Sequence, residues 1–237
     1  MLLEIRWVDS ASLIFNWTVN SLAIKAAIFD MDGTLLDSMN LWIDIGPRFL
    51  ESRGIEYTEE IQKDTKLMLL PEMGEYFNSR GFINMSVYDF IDEANAMVEN
   101  GYYNEVPVKP GVVDFLETLK QNGVRMVIAT ATDRHLVEAA LTRVGIIDYF
   151  EKIFTCTEIG FDKKVPNIFD AALAYLGTDK NETYVFEDTL TPITTVSTAG
   201  YPLVAVQDKW STKHKDLIVS LAKMYVEDLS TIDINEL

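Results

Sequence analysis

The sequence predicts an α/β fold: a Rossmann-like parallel-sheet core with an inserted all-helical cap domain. Two observations support this fold class. Apolar runs typical of β-strands alternate with helical patterns along most of the chain, and one long stretch near the N-terminal side contains helical patterns only. Strands that alternate with helices are characteristic of βαβ units, in which the strands run parallel.

The predicted strands are residues 24–29, 124–130, 152–155, 183–186 and 203–206. The helices between them have recognisable ends. Pro110-Gly111 precedes a predicted helix at 112–120, Asp133 caps one at 134–144, and Pro166 suits the first turn of one at 167–176. A further helix is predicted with Thr191 as its N-cap and Pro192 as its first residue, ending at Gly200.

The helical stretch covers residues 39–105, with predicted helices at 40–53, 58–69, 71–81 and 86–100. Ser86 and Asp89 form a capping-box pattern at the start of the last of these. We therefore predict a catalytic core of residues 23–38 and 106–237, a helical cap of residues 39–105, and an N-terminal extension of residues 1–22. A helical block inserted beside a strand end can exclude water and contact substrate.

Composition limits the possible partners. The chain has 237 residues, 48% of them hydrophobic and 24% charged, as in an ordinary globular protein. The single cysteine, Cys156, excludes an internal disulfide framework. A formal charge of −17 argues against nucleic acids and anionic membranes as partners, and no apolar run approaches the length of a membrane span. Residues 1–22 lack the pattern of a signal peptide, so we expect a cytoplasmic protein, as a monomer or weak dimer.

The strongest chemical signal is Asp30-Met31-Asp32-Gly33-Thr34, directly after the first predicted strand. Residues two apart in a strand face the same side, and strand ends are where open α/β folds place their ligands. Asp30 is the better candidate for a nucleophile that forms an aspartyl-phosphate, since it lies at the strand end. Asp32 is then placed to protonate the leaving oxygen and deprotonate water.

Three more chemical features follow later strands. The hydroxyl of Thr130 and the amides of Ala131 and Thr132 are candidates to bind a phosphoryl oxygen. The pair Lys163-Lys164 offers an ammonium group that neutralises anionic oxygens. The pair Glu187-Asp188 provides oxygen ligands of the kind that Mg²⁺ prefers. The carboxyl ends of parallel strands meet at one sheet edge, so these residues are expected to converge with Asp30.

With these motifs the sequence resembles the haloacid dehalogenase superfamily, and in particular its helical-cap phosphatases and beta-phosphoglucomutase-like members. Residues 30–38 resemble the first motif of that family, Thr130 the second, Lys163 the third, and Glu187-Asp188 with Ala199-Gly200 the fourth. The resemblance implies Asp30 as nucleophile, Asp32 as acid/base, Thr130 and Lys163 as phosphoryl-binding groups, and Asp188 as the principal Mg²⁺ carboxylate beside Asp30. It also implies the main-chain carbonyl of Asp32 as a metal ligand, and Glu187 belongs to the same acidic pair.

The predicted function is a Mg²⁺-dependent phosphatase acting on a small phosphorylated metabolite. Three alternatives remain: a phosphomutase, a dehalogenase, and a non-catalytic binding protein on the same scaffold. Trp42 stands where sugar-phosphate mutases of this group carry a histidine, which counts against the first. Carbon–halogen displacement needs no metal and no leaving-group acid, which counts against the second. Pro166 favours Lys163 as the third-motif lysine, with Lys164 as a rival.

Overall fold

A parallel sheet forms the core, as predicted, and it has six strands among the described residues. The computed structural model describes residues 23–65, 68 and 70–237, so the predicted extension 1–22 lies outside the described residues. The strand order is β3-β2-β1-β4-β5-β6. The strands are β1 Ala26–Phe29, β2 Arg125–Thr130, β3 Lys152–Thr155, β4 Thr183–Glu187, β5 Leu203–Val206 and β6 Met224–Val226.

The register of the sheet brings the predicted site residues to one edge. Phe29, the last residue of β1, pairs with Ile128 of β2 on one side and with Phe186 of β4 on the other. The residues that follow these positions therefore emerge side by side at the carboxyl edge. This is the edge at which open parallel sheets bind ligands.

Helices cover both faces of the sheet because side chains alternate along each strand. On one face Phe29 and Ile128 pack with helices α6 Val112–Gln121 and α7 Arg134–Arg143. On the other face Ile28 and Val127 belong to a separate apolar cluster. That second layer contains helices α9 Asn167–Leu176, α10 Leu190–Thr198 and α11 Lys215–Leu221, while the short helix α8 Cys156–Ile159 follows β3 directly.

Among the described residues, five helices lie between β1 and α6, in the segment 39–105 that we call the helical insertion. They are α1 Met39–Ile43, α2 Ile45–Glu51, α3 Glu59–Thr65, α4 Leu70–Ser79 and α5 Val87–Asn104. Their shared interior contains three buried aromatic rings, with the Phe49 and Phe90 centroids 4.5 Å apart and those of Phe77 and Phe90 5.8 Å apart. Ser86 caps α5 by accepting from the Asp89 amide, as the capping-box pattern predicted.

Two local predictions differ from the structure. The single helix predicted at 40–53 is two helices that meet at Asp44, because Pro47 has no amide to donate to the Ile43 carbonyl and its ring crowds that carbonyl. The predicted N-cap at Thr191 is wrong: α10 begins at Leu190 after Thr189. Pro192 is tolerated there because amides of the first helical turn have no intrahelical partner.

The edge strand β6 was not predicted, and the predicted end of the 58–69 helix falls on residues that the structure does not describe. Among the described residues, no helix is both long enough and apolar enough to cross a membrane.

The aromatic interior of the helical insertion yields a stability prediction. Phe90 is fully buried, and α4 approaches it so closely that a Cβ on Gly74 would lie 2.8 Å from its ring. Phe90→Ala leaves a cavity that this rigid packing cannot close, and should lower the free energy of unfolding by about 3–5 kcal/mol in urea titrations. Tyr88→Ala, on the exposed side of the same helix, should change it by about 0.5 kcal/mol or less. Equal losses would contradict this packing.

Candidate active site

Three buried carboxylates converge at the carboxyl edge of the sheet. Asp30 follows β1, Glu187 is the last residue of β4, and Asp188 comes next. One carboxylate oxygen from each lies within 4.8 Å of the others. The pairing of β1 with β4 causes this crowding, because the register that matches Phe29 with Phe186 places Asp30 beside Glu187.

Lys163 bridges two of these carboxylates. Its Nζ donates to Asp30 Oδ1 at 2.6 Å and to Glu187 Oε1 at 2.7 Å, and its side chain is buried. Lys164 points away, with its side chain 75% exposed and its Nζ 3.2 Å from Asp162 Oδ2. The structure therefore brings Lys163, and not its rival Lys164, to the predicted nucleophile.

Burial and the charges of neighbouring carboxylates raise the pKa values of the three carboxyl groups in the cluster. Burial raises the pKa of Asp30, although Lys163 partly opposes the shift. Burial, together with the charge of Asp30, raises the pKa of Glu187 to about 8 and holds that of Asp188 well above its usual value. Burial acts to lower the pKa of Lys163, but the charges of Asp30 and Glu187 outweigh it and raise that pKa above its ordinary value.

The residues present fit a divalent cation with a preference for oxygen ligands. Both carboxylate oxygens of Asp188 are buried and lack a hydrogen-bond partner among the described residues. An ionised carboxylate that is buried without a hydrogen-bond donor is costly unless a cation binds it. Gly33 leaves room at this position: its φ is +76°, and a Cβ there would lie 2.2 Å from Asp188 Oδ2. Buried carboxylate oxygens are a donor set suited to Mg²⁺.

Asp32 lies in a different environment from the carboxylate cluster. Its Oδ1 accepts from the Ser38 hydroxyl at 2.5 Å and from the Tyr102 hydroxyl at 2.6 Å, and its Oδ2 accepts from the Thr132 hydroxyl at 2.6 Å. The side chain is half-buried. The two aspartates of the first motif thus have separate surroundings, one ionic and one made of hydroxyl groups.

Thr130 lies at the end of β2, fully buried, and its hydroxyl accepts from the Thr132 amide at 3.1 Å. One of the amides that the sequence offered to a phosphoryl oxygen is therefore already hydrogen-bonded within the turn. The Thr132 side chain instead reaches Asp32, which sequence reasoning did not anticipate.

Sequence reasoning also missed Lys109, at the point where the chain returns from the helical insertion. Its Nζ donates to the Gly33 carbonyl at 2.5 Å and to the Gln207 carbonyl at 2.7 Å, and lies 3.7 Å from Asp208 Oδ2. It ties the first-motif loop to the end of β5. The one indication of Lys109 in the sequence is its position directly before Pro110-Gly111. We interpreted that pair only as the start of a helix.

The raised carboxyl pKa values predict a pH-dependent response to Mg²⁺. Folded Glu187 keeps its proton up to about pH 8 and loses it more readily when unfolded, so without the cation the folded state loses stability as pH rises toward 8. A cation needs the deprotonated carboxylate, so its stabilisation grows over the same range. Saturating Mg²⁺ should raise Tm by roughly 5–10 °C at pH 8 and by clearly less at pH 6. Asp188→Ala is the control, and Mg²⁺ should not raise its Tm. A Mg²⁺-induced rise in Tm that was larger at pH 6 than at pH 8 would contradict the assignment of these carboxylates as cation ligands.

The space beside Gly33 gives a steric prediction. Gly33→Ala should abolish the Mg²⁺-induced rise in Tm, because the new Cβ occupies the position of Asp188 Oδ2. Gly145→Ala is a matched control: its φ is +77°, but nothing lies within 4 Å of the added Cβ. It should cost about 1–2 kcal/mol of backbone strain and keep the Mg²⁺ response. If Mg²⁺ raised the Tm of both variants, the space beside Gly33 would not be needed for Asp188 to bind the cation.

Comparisons with known proteins agree with this architecture. Residues 27–206 match the haloacid dehalogenase-like hydrolase family. The chain is 26% identical to a phosphorylated carbohydrates phosphatase of Thermotoga maritima over 75% of this chain and 82% of that protein, and 25% identical to hexitol phosphatase B of Escherichia coli over 70% and 76%. The structure of a candidate beta-phosphoglucomutase from Thermotoga maritima shares the fold, with a TM-score of 0.75, 24% identity, and coverage of 90% of this chain and 97% of that chain. The matched region spans three quarters of the sequence and includes all four groups of predicted site residues, so the chain belongs to the haloacid dehalogenase-like hydrolase family.

Proposed function

We propose that this hydrolase is a Mg²⁺-dependent phosphatase that acts on a small phosphorylated metabolite through an aspartyl-phosphate on Asp30. The observation that supports it most is the pairing of a buried, lysine-bound carboxylate with a neighbouring carboxylate, Asp188, that has no hydrogen-bond partner among the described residues. The first supplies a fixed nucleophile and the second a place for a cation. A non-catalytic scaffold has no need to maintain this costly cluster.

Lys163 orients Asp30 for its attack on phosphorus. Because the ammonium group binds Oδ1, we assign Oδ2 as the oxygen that attacks phosphorus. The bond from Oδ2 to phosphorus forms as the bond from phosphorus to the leaving oxygen breaks. Lys163 then lies beside the transferred group and balances its charge, while the hydroxyl of Thr130 at the end of β2 is the second candidate contact.

Asp32 moves the protons. In the first step it gives a proton to the leaving oxygen, and in the second it takes one from the water that attacks the aspartyl-phosphate. The water oxygen forms a bond to phosphorus, the bond to Oδ2 breaks, and Asp30 is restored. The side-chain partners of Asp32 suit this role, because Ser38, Tyr102 and Thr132 offer it hydroxyl groups and not fixed charges.

The proposed Mg²⁺ ligands are the carboxylates of Asp30, Asp188 and Glu187, with the main-chain carbonyl of Asp32. When bound, Mg²⁺ neutralises charge on the transferring phosphoryl group. With the three carboxylates ionised, as cation binding requires, the cluster has two more negative charges than positive ones, counting Lys163, so an anionic substrate requires such compensation.

A phosphorylated sugar or sugar alcohol is the substrate class that we favour. The matched relatives are named as phosphatases of phosphorylated carbohydrates and hexitols. A cavity of about 540 Å³ extends from Trp42 to Trp210, large enough for a sugar, and indole faces suit the apolar faces of sugar rings. Another cavity, of about 500 Å³, is lined by four carboxylates and Arg48, a poor environment for an anion.

Hydrolysis is favoured over phosphomutase activity by Trp42. Its Nε1 donates to the Tyr102 hydroxyl at 3.2 Å. An indole N–H is a hydrogen-bond donor only, so it cannot both accept and release a proton as a histidine does. The proposal includes the cytoplasmic location and the monomeric or weakly dimeric state predicted from the sequence.

The assignment of the nucleophile is tested by Asp30→Asn. Loss of the attacking carboxylate should lower phosphate release from p-nitrophenyl phosphate in Mg²⁺ on the order of 10⁴-fold or more. Asp148→Asn makes the same chemical change at an exposed position and should leave the rate unaltered. Phosphate release by Asp30→Asn at the rate of the unaltered protein would rule out the aspartyl-phosphate route.

A further inference from the structure

The three hydroxyl groups that donate to Asp32 come from three different segments of the chain. Ser38 follows β1 and Thr132 follows β2, so both belong to the sheet edge. Tyr102 lies near the end of α5, the last helix of the helical insertion, 70 residues away in sequence. The insertion thereby contacts the carboxylate that we assign to proton transfer.

The bonds are divided unequally between the two carboxylate oxygens. Oδ1 accepts two of them, from Ser38 and Tyr102, and Oδ2 accepts one, from Thr132. A carboxylate oxygen has capacity for about two hydrogen bonds. Oδ1 is therefore saturated, and Oδ2 is the oxygen that retains capacity for a further partner.

Tyr102 is held firmly in this arrangement. It is fully buried, and Trp42 Nε1 donates to its hydroxyl at 3.2 Å, which leaves the hydroxyl proton for Asp32. Its carbonyl accepts from Arg143 of α7 at 3.3 Å, so a core helix fixes its backbone. The preceding Gly101 allows close contact with α1, because a Cβ there would lie 2.3 Å from the Leu41 side chain.

Burial, with the nearby charge of Asp32, raises the pKa of Tyr102 above its ordinary value. Oδ1 and Oδ2 cannot exchange places without breaking all three hydrogen bonds, which restricts rotation of the carboxylate.

We propose that Tyr102 is a positioning residue for Asp32: its hydroxyl saturates Oδ1 and so presents Oδ2 to the leaving oxygen of the substrate. The inference rests on the proposed role of Asp32 in proton transfer. Trp42 extends the arrangement, because it also lines the 540 Å³ cavity, so two hydrogen bonds connect the wall of that cavity to Asp32.

The experiment compares two esters that differ in their need for an acid. p-Nitrophenolate leaves without protonation, whereas the leaving oxygen of phenyl phosphate depends far more on it. The ratio kcat/KM reports the steps up to cleavage of the ester bond and excludes the later attack of water. Tyr102→Phe keeps the ring and removes the hydroxyl; it should lower kcat/KM roughly 10-fold for phenyl phosphate and less than about 3-fold for p-nitrophenyl phosphate.

Tyr103→Phe, the same change on a neighbouring and exposed tyrosine, should leave both values unaltered. Trp42→Phe removes the bond to the phenol and retains an aromatic ring, and should give the same selective loss to a smaller degree. It also tests the proposal if Tyr102→Phe does not fold, which circular dichroism and Tm will show. Equal losses for the two esters, or no loss for either, would overturn the positioning role.

Asp32→Asn separates this inference from the function on which it rests. It should lower kcat/KM for phenyl phosphate far more than for p-nitrophenyl phosphate. If Asp32→Asn shows this selectivity and Tyr102→Phe does not, the positioning role fails and the acid role of Asp32 remains. If Asp32→Asn affects both esters equally, the acid role fails and the inference about Tyr102 fails with it.

Discussion

The ion pairs of Lys163 are the interaction on which the rest of the site depends. Parallel pairing of β1 with β4 places Asp30 beside Glu187, and the chain continues directly into Asp188. Such a cluster of buried like charges opposes folding. Lys163 relieves part of the cost by bonding to two of the three carboxylates, and the third is left with oxygens that have no partner among the described residues. The cost that remains is the reason for which we propose a cation at this cluster.

Much of this was predictable because the chemistry follows local rules. A buried strand that is followed directly by Asp30-Met31-Asp32 presents both carboxylates near the edge of the sheet. A parallel sheet brings the ends of the other strands to the same edge. That reasoning predicted the positions of Asp30, Lys163, Glu187 and Asp188 before any distance was known, and the structure brings these four residues together. The position of Pro166 at a helix start was enough to favour Lys163 over its neighbour.

The parts that were missed depend on contacts between distant segments. The bond from Tyr102 to Asp32 has no local signature, because a tyrosine in an amphipathic helix is ordinarily a core residue. Lys109 likewise gains its partners, the carbonyls of Gly33 and Gln207, when three segments meet. The strand β6 has three residues, two of them half-buried, too few for a periodic pattern. Pro47 was visible in the sequence, but its effect on α1 and α2 was underestimated.

The formal charge of −17 does not by itself keep an anionic substrate away. Exposed charges more than about 8 Å apart are largely screened at physiological ionic strength, so most of the surface carboxylates have little effect at the sheet edge. What a phosphate ester meets is the buried cluster, where water is excluded and each charge counts more strongly. With all three carboxylates ionised, the single lysine leaves an excess of negative charge that repels the ester, and the divalent cation that we propose would cancel that excess. On this proposal, the crowding that makes the ionised cluster costly also makes affinity for the substrate depend on the cation, because Lys163 alone does not balance three carboxylates.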